Sequence, residues 1–259
     1  MLIFLVFMGF LSGFIDAIAG GGGLISLPAL LYTGIPMASV LGTSKLQASC
    51  GTGIAVFRYY QDGLINFLTV VRGLIMGLIG AILGAVTVNY ISNHFMAFIV
   101  PFLMLAVFLI NIVFRDIGLK PGKKRMSDIK FFAIFGFIFG FYDAFFGPGV
   151  GNFWIIAIVL CLGYDFLNAS GYAKVLNLKS NLFALVIFLF YGKVNFTFGF
   201  IMAIGQIFGG YTGAKMVILK GSKFVKPFFI MVVFINVLLS FYQVISQHII
   251  INQHSVHFS

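Results

Sequence analysis

Apolar runs long enough to cross a bilayer follow one another along almost the whole chain, with short polar interruptions between them. Stretches such as FFAIFGFIFGF at 131–141 show no alternation of polar and apolar positions, which a membrane β-barrel would need. The pattern predicts helices. Ten segments separate on hydropathy: 1–19, 24–34, 45–60, 67–90 and 95–114, then 131–147, 152–163, 174–191, 197–219 and 224–247. The second segment of each set is too short to span about 30 Å of hydrocarbon as a straight helix. Gly20 to Gly23 precede one, and Gly147-Pro148-Gly149 precede the other, so both read as broken or re-entrant pieces.

The two sets are copies. GFLSGFIDAIAGGGG at 9–23 returns as GFIFGFYDAFFGPGV at 136–150, with eight of fifteen positions identical. From Gly34 onward the match continues at a spacing of 129 residues: Gly34 with Gly163, Lys45 with Lys174, Asn66 with Asn195, and Gly84-Ala85 with Gly213-Ala214. Boundaries follow: a first transmembrane repeat at 1–114, a connecting loop at 115–130, a second repeat at 131–247 and a tail at 248–259. The N-terminal run lacks a basic start and its continuation is repeated mid-chain, so it reads as a retained span rather than a signal peptide.

Charge then orients the copies. Basic residues concentrate in RDIGLKPGKKRMSDIK (115–130) and KGSKFVK (220–226), where the positive-inside rule places cytoplasmic loops. If 115–130 is cytoplasmic and every segment changes side, Arg58, Lys220, Lys223 and Lys226 also fall inside. Both termini and the 91–94 loop fall outside, and they carry no Lys or Arg. Five segments per copy is an odd number, so the copies have opposite orientations. The expected fold is an all-α polytopic membrane protein of two inverted-topology repeats, each of about five hydrophobic segments with one short or re-entrant.

Composition narrows the class further. The 259 residues are 61% hydrophobic and 8% charged, which leaves too little polar surface to cover a soluble domain. The net charge of +10 comes from loop clusters rather than a basic stripe with aromatic partners, so no nucleic-acid role is expected. Cys50 and Cys161 do not match across the copies and read as small core residues, with no metal site. No HExxH, GxSxG or P-loop appears, so neither an enzyme nor an ATP-driven pump is expected, and no cofactor.

Three constellations remain. The first is Asp16 with Gly20, Gly21, Gly22 and Gly23, matched by Asp143 with Gly147 and Gly149. Glycines let backbone N–H groups turn toward a ligand, and the following half-helix start favours an anion. Tight packing, with the Asp capping a helix or paired to a Lys, is the alternative for these residues. The second is TSKLQAS (43–49) against YAKVLNL (172–178), where Lys45 and Lys174 stand at equivalent places. A Lys ammonium suits sulfonate or carboxylate oxygens, and Thr43, Ser44, Gln47, Ser49 and Asn177 supply neutral partners. Either Lys alone would read as snorkelling to the headgroups, whereas the matched pair favours a central site. Lys179, Asn181 and Lys215 lack charged equivalents in the first copy; lining a shared cavity they would make it asymmetric, and the alternative is that each faces a headgroup. The third is small residues four apart (Gly73, Gly77; Gly80, Gly84; Gly205, Gly209, Gly213), a close-approach helix interface.

The segment GFIDAIAGGGGLISLPALLYTGIPMASVLGTSKLQAS, followed by GFYDAFFGPGVG and YAKVLNLKSN, resembles the sulfite exporter TauE/SafE family over nearly the whole chain. The resemblance implies a polytopic inner-membrane permease associated with export or uptake of sulfur oxyanions and organosulfonates. Carried over, its glycine motif is Gly20–Gly23 and Gly147–Gly151 and its TSK motif is Thr43–Lys45; Tyr172-Ala173-Lys174 keeps the Lys and departs at the hydroxyl positions. The expected function is secondary transport of a small anion, with a passive anion channel or a permease for an unrelated carboxylate as alternatives. Asp16 and Asp143 are expected as ion-pair partners or coupling sites. The plan accommodates proton or sodium coupling and a homo-oligomer in the bilayer.

Overall fold

In the computed structural model the described residues are 1–66, 74–87, 109, 118–145, 147, 149–221, 227, 230–231, 234–235 and 238. Their regular structure is helical throughout: α1 (Leu2–Ala19), α2 (Gly23–Leu31), α3 (Met37–Gln61), α4 (Leu74–Thr87), α5 (Asp128–Phe145), α6 (Val150–Ala157) continued by a π turn (Ile158–Leu162), α7 (Phe166–Phe190) and α8 (Phe196–Lys220). The segments expected at 95–114 and 224–247, the 91–94 loop, Gly73 and the tail lie wholly or mostly outside the described residues.

Local chemistry explains the helix limits. Asp165 caps α7 by accepting from the Asn168 N–H at 2.9 Å, and Asn195 caps α8 by accepting from Phe198 at 3.0 Å. Gly20 ends α1 in the left-handed conformation, with its N–H donated to the Asp16 carbonyl. Helices α3 and α7, each 25 residues long, start and stop at matching places in the two copies. Both begin eight residues before the expected 45 and 174. The added residues, MASVLGTS and FLNASGYA, mix small and polar residues with apolar ones, which lowers their hydropathy, yet most of 38–44 and 166–173 is buried against neighbours. Lys45 and Lys174 therefore sit well inside helices rather than at segment starts.

Packing joins the copies crosswise. The fourth helix of the second copy, α8, lies most extensively against α1 and α3 of the first. Its counterpart α4 lies against α5 and α7 of the second copy. Helices α3 and α7 also pack against each other, joining these groups. Glycine makes the approach close enough. A side chain at Gly205 or Gly209 of α8 would strike the α1 backbone at Val6 and Phe10, and one at Gly80 or Gly84 of α4 would strike Phe137 and Phe141 of α5.

One apolar cluster is centred on Phe131, Trp154, Phe166 and Tyr59; a second gathers Leu5, Leu30, Phe188 and Met202. Outside, large hydrophobic side chains are bare, including Ile3 at 87%, Phe190 at 86% and Phe208 at 63%. Such a surface would aggregate in water and matches acyl chains instead. Helices α1 and α7 are each long and apolar enough to cross a membrane. Lys215 is exposed on α8, away from any shared cavity. The described part of the basic connector is tied down: Gly122, Arg125 and Met126 donate to the carbonyls of Gly163 and Cys161, and Phe166 donates to Gly118.

Candidate functional site

The two glycine breaks meet. Gly20 has φ +77 and lies so close to Gly151 that a Cβ on either would overlap the other's backbone. Gly149 begins α6 at φ +79, again a conformation that L side chains resist. The end of α1 thus lies against the start of the short helix α6. The amides of Gly20 and Gly147 are already used, donating to Asp16 and Tyr142 carbonyls. The expectation that these two offer free N–H groups to a ligand is corrected accordingly.

Around this crossing the acid of each copy pairs with the lysine of the other. Lys45 Nζ on α3 lies 2.7 Å from Asp143 Oδ1 on α5. Lys174 Nζ on α7 lies 3.0 Å from Asp16 Oδ2 on α1. Both pairs are buried, so each ion depends on its partner: removing one costs about 3–5 kcal/mol because the other is left uncompensated. Their surroundings differ. Lys45 also donates to the Asp143 carbonyl at 2.5 Å and to Asn181 Oδ1 at 3.1 Å, which fills its three donors. Ser180 donates to Asp143 Oδ2, and Asn181 donates to Asn177 Oδ1 at 3.1 Å. Lys174 has a single acceptor among the described residues, Asp16 Oδ2.

A cavity of about 40 Å³ lies between the pairs, room for roughly three waters or one small oxyanion. It is bordered by Asp16, Gly20, Gly23, Ser44, Lys45, Gln47, Asp143, Gly147, Gly149 and Asn177 among the sequence candidates. A side chain on Gly147 would meet Lys45 Nζ. Lys174 stands behind Asp16 and does not itself border the space. Ser26, Asn181 and Gln206 border it as well. Ser26 Oγ, Gln47 Oε1 and Gln206 Oε1 are buried without a hydrogen-bond partner among the described residues. Such atoms are costly in apolar surroundings unless a ligand or water meets them.

Four candidates fall elsewhere, among them Ser49, which donates to the Lys45 carbonyl at 2.7 Å within α3. Gly21 and Gly22 do not border the cavity; the Gly22 carbonyl accepts from Ser12 Oγ at 2.8 Å. Thr43 Oγ1 accepts from the Asn195 N–H at 2.9 Å, fastening α3 to the cap of α8. The matching Tyr172 hydroxyl accepts from the Asn66 N–H at 3.4 Å. The second copy therefore keeps a hydroxyl at this place, on a phenol instead of an alcohol. Ser26 and Gln206 were missed in sequence, although a Gln inside the glycine-rich apolar run of α8 is itself a signal, since amides are expensive there unless used.

No solved structure matches the chain. The sequence profile of the family described as Sulfite exporter TauE/SafE matches residues 5–239. A probable membrane transporter protein of Haemophilus influenzae is 39% identical over 234 residues, covering 90% of this chain and 92% of the relative. The probable membrane transporter protein YfcA of Escherichia coli K12 is 34% identical over 228 residues, 88% of this chain and 85% of the relative. A probable membrane transporter protein, ORF9, of a Sinorhizobium species is 37% identical over 232 residues, 90% and 89% respectively. With the profile spanning nearly the whole chain and relatives matched almost end to end, this protein belongs to the TauE/SafE sulfite exporter family of membrane transporters.

Proposed function

We propose that the chain is a secondary transporter of a small anion, a sulfur oxyanion or organosulfonate, working without ATP and without a chemical step. The observation that carries the reading is the pair of buried Lys–Asp bridges exchanged between the copies around one small polar cavity. An incoming oxyanion competes with a bridged carboxylate for its ammonium group, and Ser26, Gln47, Asn177 and Gln206 supply neutral hydrogen bonds. Family membership supports the substrate class, since the family description names sulfite export.

In this reading the copies are inverted in the inner membrane, with the 115–130 loop cytoplasmic and the termini outside. Because each Lys–Asp bridge joins the two copies, opening and remaking a bridge allows one copy to rock against the other around a fixed site. Flux of sulfite, thiosulfate and 2-hydroxyethanesulfonate into proteoliposomes tests the function. Saturable uptake that runs uphill when an ion gradient is supplied is expected. Unsaturable flux that only follows the anion's own gradient would establish a channel instead, and no flux of any of the three would remove the substrate class.

A further inference from the structure

Resting on the anion-transport reading, we infer that the two ion pairs are not equivalent: Lys45–Asp143 is a fixed clamp, and Asp16–Lys174 is the exchanging pair, with Asp16 taking up a proton as the anion takes Lys174. The difference lies in what each pair still has to offer. Both Asp143 oxygens are engaged, by Lys45 and by Ser180, and Lys45 has no donor left. Asp16 has one oxygen on Lys174 and borders the cavity with its side chain 12% exposed, against 2% for Asp143. Lys174 uses one of three donors on a described partner. Of the two ammonium groups, only Lys174 keeps donors to spare, and an anion in the cavity gains them by displacing the Asp16 carboxylate that stands in front of it.

Charge bookkeeping then calls for a proton. Lys174 from α7 is bonded to Asp16 and Tyr59 from α3 lies near it, while Ser26 from α2, Ser44, Lys45 and Gln47 from α3, Asp143 from α5, Asn177 and Asn181 from α7, and Gln206 from α8 share its cavity. The Tyr59 hydroxyl is committed to the Ala17 carbonyl at 3.0 Å. Lys179, another buried cation, directs its ammonium to Gly77 on α4 and does not border the cavity. Two ammonium groups and two carboxylates balance at the site. A monoanion bound to Lys174 would leave one negative charge in excess in a poorly solvated space. A proton from the aqueous side, added to the Asp16 carboxylate it displaces, restores neutrality and turns that oxygen into a hydrogen-bond donor.

Titration calorimetry of the purified full chain with 2-hydroxyethanesulfonate, a strong-acid anion whose own charge is constant with pH, reads the proton directly. Heats compared in buffers of different ionisation enthalpy are expected to show about one proton taken up per anion, with affinity falling roughly tenfold per pH unit as pH rises through the coupled range. Asp16→Asn is expected to bind with no buffer dependence, while Asp16→Glu retains uptake with a displaced pH midpoint. Binding by the wild-type chain without proton uptake would overturn this assignment alone. So would full uptake in Asp16→Asn, or an unchanged midpoint in Asp16→Glu. Absence of any binding or thermal stabilisation by sulfonate, sulfite or thiosulfate would overturn the transport reading together with it.

Discussion

Thr43 and Lys45 are two residues apart, and their side chains serve different ends. Lys45 reaches across to Asp143 at the cavity, whereas Thr43 holds the capped start of α8. Replacing Thr43 with Val leaves the Asn195 N–H without its acceptor, and the expected loss is about 1–3 kcal/mol of stability. Thermal unfolding in detergent should show that loss while anion affinity of the folded protein stays unchanged; a selective loss of affinity would return Thr43 to the binding site. Gly20 behaves differently, because two demands coincide on it. Ala there is expected to cost about 2–5 kcal/mol, from the left-handed backbone at φ +77 and from overlap with Gly151. A Gly20→Ala protein as stable as the wild type would show that the two breaks do not touch.

At the scale of elements, the fourth helix of each copy is the one whose place sequence does not announce. Gly205 and Gly209 are spaced for a close helix partner, and the spacing is silent about which helix that is. The structure supplies α1 for α8 and α5 for α4. Gly209→Ile drives a branched side chain into the backbone of Phe10 and is expected to abolish folded protein, whereas Phe208→Ala, on the bare outer face, is expected to be tolerated. Size-exclusion profiles in detergent check both. The same limit governs the site. Matching the copies brings out Lys45 with Lys174 and Asp16 with Asp143, because charged residues in apolar sequence are few enough to notice. That each Asp belongs to the other copy's Lys is a tertiary fact, invisible until the packing of the copies against each other is known. Helix limits failed for a plainer reason: hydropathy misses small polar residues such as Thr43, Ser44 and Ser170 that helices bury.

For the whole molecule, crosswise packing means that the unit of duplication is not the unit of packing. Residues 1–116 produced alone would leave α1 and α3 without α8, and residues 117–259 would leave α5 and α7 without α4. Neither half is expected to give a monodisperse species alone, and the two are expected to co-purify when expressed together. Two halves that are each stable alone would contradict the exchange of fourth helices. The bridges reinforce the same join, since each spans the copies.

The central claim is that an anion displaces a carboxylate from a buried lysine at this crossing. Single substitutions test it poorly, because each strands a charge. Asp16→Asn combined with Lys174→Gln removes both charges at once, and such neutral replacement of a buried pair is often tolerated. Sulfonate-dependent thermal stabilisation of that double variant, set beside the wild type, is the most direct measurement. The account predicts a folded protein on which 2-hydroxyethanesulfonate has no stabilising effect. A folded double variant stabilised by the anion as strongly as the wild type would contradict it.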